Sequence, residues 1–82
     1  MRKGIIVFRL INIGSKSEGL RPFLYQGKGA FQAVWMAEDQ SLEGRALQRF
    51  DGKAVALQGE MGENDLFLIR ELKEIKREVL DF

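Results

Sequence analysis

DGKAVALQGEMGENDLFLIREL, residues 51–72, carries two apolar runs separated by a short polar turn. In Lys53–Gly59, Val55 and Leu57 alternate with Ala54, Ala56 and Gln58, which is the period of a strand with one buried face. Gly59 marks a bulge or a bend in that strand. Glu60–Asp65 is acidic and contains Gly62, the composition of a turn, and Leu66–Leu72 reads as the returning strand. A closing β-hairpin is therefore expected, and the rest of the chain has to supply the surface that covers it.

Upstream, residues 4–13 (GIIVFRLINI) are dominated by isoleucine, valine and phenylalanine. These side chains suit a strand. They are apolar at both parities, so this strand is either covered on both faces or bent so that its inward face changes. Phe23–Tyr25 and Ala30–Met36 read as two further strands joined by Gln26-Gly27-Lys28-Gly29, a link of hairpin length. Leu42, Ala46 and Phe50 recur at spacing four, with Leu47 adjacent, and predict a short amphipathic helix that Asp51-Gly52 ends. Residues 73–82 carry on a second stripe, Leu72, Ile75, Val79 and Phe82, whose spacing of three, four and three predicts a helical tail.

The order strand, strand, strand, short helix, strand, strand resembles that of the OB-fold, a small five-stranded Greek-key barrel. The likeness covers residues 4–72 and is strongest over the hairpin 51–72. It implies a single mainly β domain, a five-stranded antiparallel OB-like barrel over about 4–72, with the mid-chain helix plugging one open end. Leu42, Ala46 and Phe50 would cap an interior lined by Val7, Leu24, Val34, Val55, Leu57 and Leu68.

Composition narrows the chemistry. Eighty-two residues make one small domain with little room for an enclosed substrate cavity. There is no cysteine and no histidine, which removes thiolate catalysis, cysteine-type zinc sites and the commonest general base. The carboxylates sit in turns, and those of Glu60, Glu63 and Asp65 do not follow the EF-hand spacing. Ser15 and Ser17 have no histidine to activate them, and Lys16 between them would point away. The sequence nominates no catalytic residue, no metal ligand and no cofactor. Neither a signal peptide nor a run of the ~20 apolar residues that span a bilayer is visible, so a cytoplasmic, non-membrane protein is expected.

Gly14-Ser15-Lys16-Ser17 has the residue types of a phosphate-gripping loop. A Walker loop needs a second glycine just before the lysine, a first glycine five positions earlier and a helix directly after. Here Ser15 and Leu10 occupy the glycine positions, and Gly19 and Pro22 follow. The stretch reads as a polar turn between strands.

The net charge of +1 hides a segregation. Residues 1–37 hold six cations against Glu18 alone, net +5, whereas residues 38–65 carry net −4. A basic half can attract an anionic partner. The resemblance implies ligand binding on the face of strands two and three, and those strands carry Phe23, Tyr25, Phe31 and Trp35. Aromatic platforms beside cations are what single-stranded nucleic acid requires. The candidate contacts are Arg9, Lys16, Arg21, Tyr25 and Lys28. Two or three of the four aromatics are expected in the core, Phe31 and Trp35 first, with Tyr25 exposed. The alternative is a protein partner or a homodimer, using an edge strand or Ile75, Val79 and Phe82 of the tail.

Overall fold

The computed structural model describes residues 1–82. Five strands make one sheet: β1 (Arg2–Ile11), β2 (Gly19–Tyr25), β3 (Phe31–Met36), β4 (Ala54–Met61) and β5 (Phe67–Glu74). The sheet closes in a ring in the order β1-β2-β3-β5-β4, with β4 returning to β1 through Arg2↔Leu57 to Ile5↔Ala54. Closure gives every strand a neighbour on both sides over part of its length, which shortens the exposed edges that a sheet this small would otherwise offer to other chains.

The expected all-antiparallel barrel is corrected on one point of topology. β3 and β5 run parallel, pairing Val34↔Phe67 through Met36↔Ile69, while the other four pairings are antiparallel. Parity demands this. Direction alternates around an antiparallel ring, and an odd number of strands cannot alternate all the way round. The parallel contact falls where β5, returning from β4, fills the gap beside β3, so spatial order departs from chain order.

Alternation along each strand builds the core. Ile6, Leu24, Val34, Val55, Leu57, Phe67 and Ile69 point inward and are buried, together with Leu47. Leu24, Val34, Val55 and Leu57 are the lining residues expected from the sequence. Val7 and Leu68 are not; their neighbours Ile6 and Ile69 take the inward positions, and Val7 and Leu68 are only half-buried. The bulge at Gln58/Gly59 is present, and there the β4–β5 register shifts so that Gly59 faces Ile69.

The plug is a 3-10 helix, Arg45–Phe50, rather than an α-helix, and it uses a different leucine. Leu47 is fully buried, whereas Leu42 is 81% exposed and Ala46 is also exposed. The turn before it explains the change. Gly44 adopts φ 67°, which stops an α-helix from starting earlier. Asp39 holds residues 40–46 as a loop by accepting hydrogen bonds from the N–H of Ser41 (2.8 Å) and of Ala46 (3.0 Å). A three-residue period then puts Leu47 and Phe50 on one side, and Phe50 packs against the core beside Leu47.

Those hydrogen bonds, Ala46 first and Ser41 next, hold the Asp39 carboxyl below the usual carboxylate range. A group more acidic when folded stabilises fully above its unfolded pKa of about 3.9, and that contribution fades as pH falls through the lower folded value. Asp39→Asn is therefore expected to lower the thermal midpoint at neutral pH, with the gap to wild type narrowing below about pH 4. A gap that stays constant into acid would show that the ionised carboxylate is not what holds the loop.

The predicted helical tail is also corrected. β5 continues to Glu74, paired with Val55, and the Ile75 N–H donates to the Ala54 carbonyl at 2.9 Å. Only Arg77–Val79 forms a helical turn, of 3-10 type. Residues 54–57 offer an open ladder, and backbone pairing with it overrides the helical spacing of the side chains. Arg77 then donates to the Gly52 carbonyl at 2.7 Å, tying the tail to its own sheet. No helix of the structure is long and apolar enough to cross a membrane.

Candidate functional site

Because Leu24 and Val34 point inward, the alternation of β2 and β3 sends Phe23, Tyr25, Phe31 and Trp35 to the outer face. Phe31 and Trp35, expected in the core, are exposed and half-buried respectively. Register sets the neighbours: Tyr25 lies across from Phe31, and Phe23 across from Ala33. Phe23 and Phe31 meet edge-to-face with centroids 6.5 Å apart, and Tyr25 tilts against Phe31 at 5.0 Å. Phe82 extends the row, its ring perpendicular to Tyr25 at 5.4 Å. Tyr25 is thus half-buried between two rings rather than freely exposed.

Arg9 crosses this surface from β1. Its guanidinium carbon sits 4.1 Å from the Phe31 centroid and 5.6 Å from that of Phe23, a cation–π arrangement that holds a positive charge over the aromatic row. Arg21 is the direct cross-strand partner of Arg9. Like charges placed opposite each other destabilise a sheet. Neither arginine is offset by a carboxylate: the ion pairs of the molecule are Arg45–Glu43, Lys53–Glu74 and Arg70–Glu60.

The lysine candidates lie at opposite ends of β2. Lys28 is exposed at φ 54° in the turn between β2 and β3. Lys16 stands in the turn between β1 and β2. That turn satisfies its own polar groups: Ser15 Oγ donates to the Asn12 carbonyl at 2.7 Å, and the Gly14 N–H donates to Glu18 Oε1 at 2.7 Å. A carboxylate already occupies the N–H that a phosphate would want. Lys16 therefore offers an exposed charge and no anion cradle.

Of the tail candidates, Ile75 is half-buried at the end of the β4–β5 ladder and Val79 is half-exposed. Phe82 rests on Gly27, where a β-carbon would come within 2.7 Å of the Phe82 ring. Ile75 and Phe82 thus contact the chain's own sheet, and Val79 lies in the 3-10 turn between them. The acidic turn sends Glu60 to Arg70 at 2.9 Å, and that hydrogen bond lowers the glutamate pKa. No three acidic side chains converge on a common metal position.

Arg9, Arg21 and Tyr25, nominated from the sequence, lie on this face or at its border; Phe31 and Trp35, expected in the core, lie on it too, and Phe82, nominated as a contact of the tail, joins the aromatic row. The signal was available in the β3 pattern, where Phe31, Ala33 and Trp35 share one parity and Val34 takes the other. No protein-family model, curated protein or solved structure matches the chain.

Proposed function

We propose that this chain is an OB-like binding module that holds single-stranded nucleic acid across the outer face of β1, β2 and β3. The observation that carries the reading is the outward row of Phe23, Phe31, Tyr25 and Phe82 with Arg9 lying over it. Bases stack on aromatic faces whatever their sequence, and cations alongside follow the phosphates. Arg9 and Arg21 are cross-strand partners with no carboxylate paired to either, and an anion bound by both would turn a repulsion into two attractions. A five-stranded closed sheet with a short helical plug before β4 supports the OB-like reading of the fold.

Fluorescence anisotropy of a labelled oligothymidylate tests it. Affinity should fall with salt, with a log–log slope of about −2 if Arg9, Arg21 and Lys28 each meet one phosphate. Tyr25→Ala should weaken binding by about 1–3 kcal/mol, measured at a temperature where wild type and variant are both folded, since the variant also loses the ring contacts with Phe31 and Phe82. An anisotropy that does not move at low salt would remove the proposal, as would binding indifferent to Tyr25→Ala.

A further inference from the structure

β2 and β3 do not stay together. Their pairing ends at Phe23↔Ala33, and one residue later Val34 has turned to Phe67 of β5. β2 continues with β1 alone through Gly19↔Ile11. Pro22 stands at the parting and has no N–H to leave unpaired there. The strands open into a groove of about 230 Å3 lined by Ile11, Arg21, Phe23, Ala33, Trp35 and Leu66. That is below the ~300–1,000 Å3 of sites for drug-sized ligands and suits one flat ring.

Trp35 is held still in this groove. Its indole Nε1 donates to the Asp39 carbonyl at 3.0 Å. Behind it, the backbone of Gly44 packs so closely that a β-carbon would stand 3.4 Å from the indole and 2.9 Å from the Pro22 ring. A platform already fixed loses little freedom when a ligand stacks on it. None of the lining residues is a carboxylate. The only charge in the lining is Arg21, and Arg9 stands across from it.

We propose that the wedge between β2 and β3 is a subsite for one nucleobase, with Trp35 and Phe23 taking the ring and Arg21 with Arg9 taking the adjoining phosphate. This rests on the nucleic-acid reading above and adds where along the face a base is inserted rather than merely stacked. An apolar slot with a cationic rim matches a ring attached to an anion; a bare polyanion would gain the rim alone, and a neutral apolar side chain would gain the slot alone.

Trp35 is the single tryptophan of the chain, so its emission reports this groove. The full-length chain is titrated with oligothymidylate and, separately, with inorganic polyphosphate, which carries the charge without bases. Anisotropy of labelled oligothymidylate follows binding in parallel. The oligonucleotide should quench Trp35 emission, and polyphosphate should displace the labelled strand without quenching. Ala33→Leu, which fills the slot from its wall, should weaken oligonucleotide binding about tenfold and abolish the quench, in line with the loss of one stacked base. Should that variant unfold, Leu66→Phe narrows the same slot from β5's side, and the wild-type emission arm decides by itself. Binding seen by anisotropy with unchanged Trp35 emission, or equal quenching by polyphosphate, overturns the subsite and leaves the wider face standing. No binding by wild type in low salt overturns both.

Discussion

Gly59→Ala is expected to destabilise the fold by about 3 kcal/mol or more, a large fraction of what a domain of this size has. Gly59 sits at the bulge where β4 slips by one residue against β5. A β-carbon there would run into the Leu68 carbonyl oxygen, and it would lie 2.9 Å from the Leu68 carbonyl carbon and 3.1 Å from the Ile69 Cα. All three atoms are backbone. They cannot turn aside as a side chain would. β5 is held by β4 on one side and by β3 on the other, so it cannot retreat without giving up ladder hydrogen bonds. The cost therefore belongs at or above the top of the ~1–3 kcal/mol typical of overpacked cores. Gly52→Ala is the comparison. Gly52 has φ 82° with open space around it, so alanine there meets only the left-handed penalty of about 1–2 kcal/mol. Urea unfolding midpoints of the two variants measure the difference. If Gly59→Ala matches Gly52→Ala, the close approach at the bulge is not there.

The β4 half of the hairpin 51–72 was legible because its large apolar side chains, Val55 and Leu57, share one parity while Ala54, Ala56 and Gln58 hold the other, so period and the inward face of the large residues agree. β1 and β5 gave no such guidance. Ile5-Ile6-Val7-Phe8 and Leu66-Phe67-Leu68-Ile69 are apolar at every position, and a strand slipped by one residue presents the opposite set. Ile6 and Ile69 face inward because of ring closure, which is a property of the whole sheet. The tail misled for a related reason: Ile75, Val79 and Phe82 keep helical spacing, but the open ladder of residues 54–57 lies far away in sequence. The aromatics were countable and could not be assigned a face by counting. A ring of five strands has a narrow interior, filled by side chains of leucine and isoleucine size. Phe67 is the one aromatic among its buried residues. Phe23, Tyr25, Phe31 and Trp35 are displaced to the outer face of β2 and β3, and that displacement creates the candidate site.

Leu47→Ala should cost about 2–5 kcal/mol, while Leu42→Ala should stay within about 0.5 kcal/mol of wild type. The two leucines lie on the same connection between β3 and β4, and an α-helical stripe would have made Leu42 the anchor. The 3-10 plug reverses their weights: Leu47 has no exposed surface and packs among Ile6, Leu24, Val34, Val55 and Leu57, whereas Leu42 projects into solvent. Strands tied on both sides cannot collapse into the space a truncated leucine leaves, so the cavity should persist and the cost should fall in the upper part of the range. Local structure carries the effect further. Leu47 N–H donates to the Gly44 carbonyl at 3.0 Å, and Gly44 backs the ring of Trp35. Loosening the plug should therefore free the indole at denaturant concentrations below the main transition, seen as a red shift of Trp35 emission in Leu47→Ala that precedes loss of the far-ultraviolet β signal. Coincident transitions would mean that plug and wedge open only with the whole ring. Equal costs for the two leucines would put the anchor of the plug elsewhere, and the fixed platform on which the base subsite depends would lose its support.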